Sequence, residues 1–247
     1  METIRIVQEA AARAMPPDHV EWLDGWLLRY TTSKSWWAGS VLAHGEPSSG
    51  EMMRRIIAAE EFYAGHGTAA RFQISPPVSS PGLDDALAAR GYGRSGQMSL
   101  QSADTATIVG NAPDTPLRIV VDEKPTSAWF DVWQTTHDVD PAAERAMCER
   151  VRQPVGYVRV LADGEAIAVG RAVADDGWAG VFGMATLPAA RGKGAARTVL
   201  AALAEWAGRN GADRMYLQVE GDNDAALRLY GRMGFRELCG YHYRIAP

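Results

Sequence analysis

The run Arg191-Gly192-Lys193-Gly194-Ala195-Ala196 sits where two different hydrophobic periodicities meet, and that juncture restricts the chain more than any other segment. Before it, Val181-Phe182-Gly183-Met184-Ala185-Thr186 is a short apolar run. After it, Val199, Leu200, Leu203 and Trp206 recur at helical spacing until Gly208 and Gly211. The context is strand, loop, helix, with the glycines at the helix start. Glycine lets a backbone approach a ligand closely, and the unpaired N–H groups of a helix N-terminus, reinforced by its dipole, form an anion site. Arg191 adds a fork of donors and Lys193 a point charge. Alone, the loop reads equally as a pyrophosphate seat or as a plain glycine-rich turn.

Two other phosphate motifs fail on residues. A P-loop needs Ser or Thr after its lysine to hold magnesium, and Lys193 is followed by Gly194. The dinucleotide fingerprint needs a third small residue, and Arg197 stands there; only Glu220, placed as a ribose-binding acid would be, keeps a nicotinamide reading open. Downstream, Met215 to Val219 is a short strand, Asp222 or Asn223 is a natural N-cap, and a helix runs to about Met233 before Gly234. Asn223, Ala226, Leu227 and Tyr230 share one face, the first and last about 10 Å apart along the axis. That stripe suits one thin, extended ligand. Taken alone, Asn223 reads first as a cap, and Tyr230 equally as a buried phenol.

Together these residues resemble the GNAT superfamily of acyl-CoA-dependent N-acetyltransferases. Arg191, Gly194 and Ala196 meet its phosphate motif, Thr186 and Pro188 the strand end before it, and Asn223, Ala226, Leu229, Tyr230, Gly234 and Phe235 its later motif. The resemblance covers about residues 117–247 and implies a mixed α/β (α+β) fold that uses acetyl-CoA. It implies that Met184, Ala185 and Thr186 present backbone amides to the thioester and pantetheine, that 191–196 hold the pyrophosphate, and that Asn223 and Ala226 line the pantetheine arm. Tyr230 would then supply the proton to the departing thiolate. An alkyl ammonium is only about one part in a thousand neutral near pH 7.4, so a base is needed. Relatives often place a Glu on the strand where Phe182 and Gly183 stand here, which leaves Glu220 as the candidate. His137 and Asp138, with Asp140, fall where the acceptor loop would be.

The rest of the second half agrees with this order. Leu117 to Val121, Val155 to Leu161, Ala166 to Ala174 and Trp178 to Thr186 read as strands, Thr126 to Thr135 as a helix, and Asp163-Gly164 and Asp175-Asp176-Gly177 as hairpin turns. Two final strands complete the expected order. The first half reads as a degenerate copy of the fold: shifted by 143 positions without a gap, Arg54 to Tyr92 keep the apolar phase of Arg197 to Phe235. In that copy Glu51 stands at Gly194, Ser80 at Asn223 and Leu87 at Tyr230, so one cofactor site is expected. The expected organisation is a GNAT-like domain over 1–103, a connector over 104–116 and a catalytic domain over 117–247.

At 247 residues, 47% hydrophobic and 22% charged, the chain has the balance of a globular protein, and a net charge of -5 argues against a nucleic-acid partner. No segment is long enough to cross a membrane, the first fifteen residues lack the layout of a secretory signal, Cys148 and Cys239 form no spaced pair, and no metal motif occurs. A cytoplasmic monomer or homodimer acting on a small-molecule amine is expected. Trp36 and Trp37, read as adjacent strand residues, and Tyr241 and Tyr243 are candidates for an aromatic pocket between halves, with Trp37 and Tyr241 taken as substrate-facing. Three options stay open: an enzyme that inactivates an amine-bearing antibiotic, one similar to mycothiol synthase, and a non-catalytic acetyl-CoA sensor.

Overall fold

The computed structural model describes residues 1–33 and 35–247. Its first half runs α1 (Glu2–Ala14), β1 (His19–Leu23), β2 (Trp26–Tyr30), β3 (Val41–Ala43), α2 (Ser49–Gly65), β4 (Arg71–Ile74), α3 (Leu83–Ala89), β5 (Gly93–Asp104). A short helix α4 (Thr105–Gly110), strand β6 (Arg118–Asp122) and helix α5 (Ser127–Trp133) follow. The second half then runs α6 (Pro141–Arg150), β7 (Val155–Ala162), β8 (Glu165–Asp175), β9 (Trp178–Thr186), α7 (Ala195–Arg209), β10 (Arg214–Glu220), α8 (Asp224–Arg232), β11 (Arg236–Ile245).

The strands form one sheet in the order β1-β2-β3-β4-β11-β5-β10-β9-β8-β7-β6. Each half therefore completes the other: β5 lies against β10, β11 lies against β4, and the two exchanged strands pair antiparallel at the centre. The internal pairings repeat as well, with β3 parallel to β4 and β9 parallel to β10. Arg71 and Arg214 open β4 and β10, and Gly93 and Arg236 open β5 and β11, each pair 143 positions apart. The exchange has a physical motive: a strand left at the edge of either half would present an unpaired row of backbone groups.

Helices cover both faces. On one, α1, α5 and α6 bury Val7, Trp129, Trp133 and Met147 against Phe182, Tyr216 and Tyr243. On the other, α7 and α4 bury Val199, Leu200, Leu203 and Ile108 against Val158, Val181 and Leu217, while α2 and α3 cover β2 to β4. Each fully buried aliphatic side chain of this kind contributes about 1.5–3 kcal/mol. Asp163-Gly164 and Asp176-Gly177, all with positive φ, make the two expected tight turns. Asp24-Gly25 makes a third between β1 and β2.

Several expectations require correction. The last two strands are one, β11, because β5 from the first half takes the neighbouring place. Trp36 and Trp37 lie in a turn, where Gly39 and polar neighbours favour reversal over extension. The expected connector carries α4, with Ile108 wholly buried and Thr105 bonded through its hydroxyl to Ala212 O at 2.8 Å. Helix α6 was not anticipated, although Asp140 caps it and Pro141 opens it.

Candidate active site

The site begins with a failure of strand pairing. Strands β9 and β10 pair only from Trp178–Gly180 to Arg214–Tyr216; beyond, each runs on without facing the other across backbone hydrogen bonds. A slot opens between Val181–Thr186 and Leu217–Glu220. At its edge β9 bulges, since Arg171 faces Phe182 and Val169 faces Ala185, leaving Gly183 and Met184 opposite Gly170. Gly183 has φ of 61°, a left-handed conformation that costs any other residue about 1–2 kcal/mol. A bulge re-aims backbone groups, so the amides of Met184 and its neighbours are not all committed to β8.

The glycine loop sits at the end of that slot. Gly192 and Gly194 have φ of 74° and 87°, and Gly194 is the N-cap of α7 with no side chain to close it. The first helical bond is Thr198 N–H to Gly194 O at 3.0 Å, so the amides of Ala195, Ala196 and Arg197 precede the helical ladder. Arg191 and Lys193 are exposed beside them, with Arg191 donating to Thr186 O at 3.3 Å. The equivalent turn in the first half is shut: Ser48 and Glu51 form a reciprocal capping box, Glu51 accepting from Ser48 N at 2.8 Å. There the slot is shut too. Ser80 N–H bonds Ala43 O at 3.1 Å and Trp26 Nε1 donates to Ser80 Oγ at 3.3 Å, whereas the matching Asn223 N–H turns to Glu220 O at 3.1 Å.

Asn223 caps α8, its Oδ1 accepting from Ala226 N at 3.1 Å, which leaves its amide N–H groups for another partner. Tyr230, two turns on, is buried in the core that also holds Val181, Ala195, Leu217 and Val219, and packs edge-on against Phe235 at 5.8 Å. Burial pushes its phenol up to about 12, so it stays protonated at neutral pH. The donors fit a cofactor that carries a pyrophosphate and an extended arm: free helix amides and two cations at the phosphate end, then an apolar slot with peptide amides for the arm.

On the α1 and α5 side, a cleft of about 890 Å³ meets the slot at Phe182, Gly183 and Glu220. Both halves build it. Trp36 and Trp37 come from the first-half turn, Tyr243 from β11, His137 and Asp138 from the loop after α5, Glu144 from α6 and Arg171 from β8. The fold thus brings together Glu220, His137, Asp138 and Trp37. It does not bring Tyr241 with them: Tyr241 is wholly buried beneath Tyr243 and donates to Gln218 Oε1 at 2.6 Å. Glu220 is exposed on the rim. His137 stacks on Trp133 at 4.7 Å, and burial lowers its basicity more than its bond to Trp133 O raises it, so it is neutral near pH 7. Sequence reasoning missed Glu144 and Arg171. The signal was a lone arginine inside the apolar run Ala166 to Ala174.

Among the described residues, no group of acids, histidines and cysteines could hold a metal ion, and no helix is long and apolar enough to cross a membrane. The family model described as "Probable histone acetyltransferase Rv0428c C-terminal" matches residues 2–244. The chain is 30% identical over 249 residues to the uncharacterized N-acetyltransferase YobR of Bacillus subtilis (strain 168), covering 99% of each. A GCN5-related N-acetyltransferase from Kribbella flavida superposes with a TM-score of 0.77 at 17% identity, over 98% of this chain and 95% of that one. A tandem GNAT protein from the clavulanic acid biosynthesis pathway gives 0.71 at 16% identity, over 97% and 87%.

Proposed function

The chain belongs to the GNAT family of N-acetyltransferases, and we propose that it moves the acetyl group of acetyl-CoA to a primary amine of a small molecule by direct attack in a ternary complex. The observation that supports this most is the meeting of slot and cleft at the β9 bulge. A donor threaded between β9 and β10 and an acceptor held in the aromatic cleft would meet at Gly183. Bulge amides would stabilise the oxyanion, Arg191 to Ala196 the pyrophosphate, and Asn223 and Ala226 the pantetheine arm.

Proton balance defines the role of Tyr230. A phenol at about 12 cannot simply hand its proton to a thiolate, because a gap of about three pKa units costs about 4 kcal/mol. The transfer closes if the tetrahedral nitrogen, strongly acidic once bonded to carbon, gives its proton to the phenol as the phenol protonates sulfur. Tyrosine then ends neutral. Tyr230→Phe should lower kcat by about 100-fold, the lower range for proton-transfer catalysis, and leave acetyl-CoA affinity within about twofold. Unchanged kcat in a pre-steady-state assay removes Tyr230 from the reaction.

The first half is proposed to be a degenerate copy that binds no second acetyl-CoA, supported by its closed slot and its capping box. A stoichiometry of two in a binding titration would overturn this. The name of the matching family model suggests protein lysines as another acceptor, and the acids Asp138, Glu220 and Asp222 at the cleft suit a cationic side chain. A coenzyme A release assay over small amines, amino acids, amine antibiotics and a lysine peptide separates these readings. Release with a small amine supports the proposal. Tight acetyl-CoA binding with no release for any acceptor makes the chain a sensor, and NADH binding revives the dinucleotide reading.

A further inference from the structure

Burying a carboxylate is costly unless ion pairs and hydrogen bonds replace its water. Glu144 of α6 is nearly buried, yet its oxygens accept no hydrogen bond among the described residues, and its ion contact, to Arg171, is 3.8 Å long. Arg171 is equally under-used. It is wholly buried, donates to Ala14 O at 3.3 Å and to Met147 Sδ at 3.6 Å, and leaves Nε without a partner. Both residues line the cleft. The Arg171 guanidinium also lies 4.8 Å over the Phe182 ring, one residue before the bulge at Gly183. A contiguous row therefore leads from the acid to the place where slot and cleft meet.

We propose that Glu144 is the base that takes the proton from the acceptor's ammonium group, and that Arg171 is the positioning residue that holds its carboxylate at the cleft wall. The proposal rests on the acetyl-transfer reading. An ammonium carries three donors and no acceptor, the complement of a carboxylate that lacks donors. In the step, one N–H bond breaks and an O–H bond forms on Glu144, the electron pair stays on nitrogen, and the neutral amine attacks the thioester carbon. The proton leaves Glu144 for water through the cleft before the next turnover.

The groups around the carboxylate suit this role. Arg171 faces it from β8, Cys148 from the next turn of α6 and Tyr157 from β7. Burial raises the Glu144 carboxyl from its ordinary value and the Arg171 guanidinium opposes that rise, so the acid is shifted in the direction a base working on an ammonium requires. Glu220 lacks this setting, being exposed on the rim.

The test is the pH dependence of turnover by the full chain with two acceptors, one alkyl amine of ordinary pKa and one amine with a pKa near 7. Wild-type kcat/KM should rise through the Glu144 titration and then level. Glu144→Gln should lose at least about 100-fold at pH 7 with the ordinary amine and recover about tenfold per pH unit as free amine accumulates. With the weakly basic amine the loss should stay under about tenfold, because much of it is already neutral. Equal losses with both amines, or activity within about threefold of wild type, overturn the assignment. Should Glu144→Gln fail to fold, Glu144→Asp decides: it must keep the wild-type pH profile at reduced rate, and a profile that follows the amine's own titration overturns the assignment. If no acceptor turns over with the wild type, the acetyl-transfer reading falls first and this one with it.

Discussion

Gly194→Glu is expected to lower acetyl-CoA affinity at least a thousandfold, read by titration calorimetry on the folded variant. Two independent costs add. Position 194 has φ of 87°, where a residue with a Cβ is strained by about 1–2 kcal/mol, so the free loop of the variant relaxes and must take on that strain again to bind. A carboxylate about 4 Å from a phosphate oxygen, at an effective dielectric near 20, is repelled by about 4 kcal/mol, and 1.4 kcal/mol is tenfold in affinity. Glu51, 143 positions before Gly194, closes the N-terminus of α2 through its capping box and shows what a glutamate does at such a helix start. Gly194→Ala has the strain without the charge and should lose only about tenfold. Binding by Gly194→Glu at wild-type strength would place the phosphates elsewhere.

That contrast between halves was readable in the sequence because it depends on local chemistry. Glycines that must take positive φ, a carboxylate in place of one of them and Asp-Gly turns act within a few residues, and so do the apolar spacings of β9 and α7. Pairing across the chain is not local. Nothing in the pattern of 93–104 distinguishes a strand beside β10 from one beside β4, so the exchange of β5 and β11 appeared only in three dimensions. Trp36 and Trp37 misled for a related reason: aromatic residues favour strands on average, but a turn that closes one wall of a cleft needs the same bulk. Glu144 was invisible because its helix lies in a stretch read only for the acids before it. Tyr241 and Tyr243 share one face of β11 as their spacing predicts, yet only Tyr243, packed on Trp36, lines the cleft, because Tyr241 is covered by neighbours from another part of the chain and bonded to Gln218.

Trp129→Ala should destabilise the protein by about 3–5 kcal/mol, the usual loss for a buried tryptophan. For a chain of this size that lowers Tm by about 6–20 °C, at about 2–4 °C per kcal/mol. The side chain is wholly buried in α5, stacked on Trp133 and edge-on to Phe130 and Tyr157. Its effect should reach the chemistry as well, because it touches both sides of the bulge. Nε1 donates to the carbonyl of Gly170, the residue opposite the extra position, at 3.2 Å, and the ring lies 3.0 Å from where a Cβ on Gly183 would stand. Removing the ring leaves that carbonyl unbonded and the bulge unsupported, so turnover measured well below Tm should fall by more than about tenfold through misplaced oxyanion donors. Trp129→Phe, which keeps a ring and loses the donor, should lose about 1–3 kcal/mol and less turnover. A variant that melts earlier yet turns over normally would show that the bulge holds its own shape, and the link drawn from core packing to catalysis would be broken at that residue.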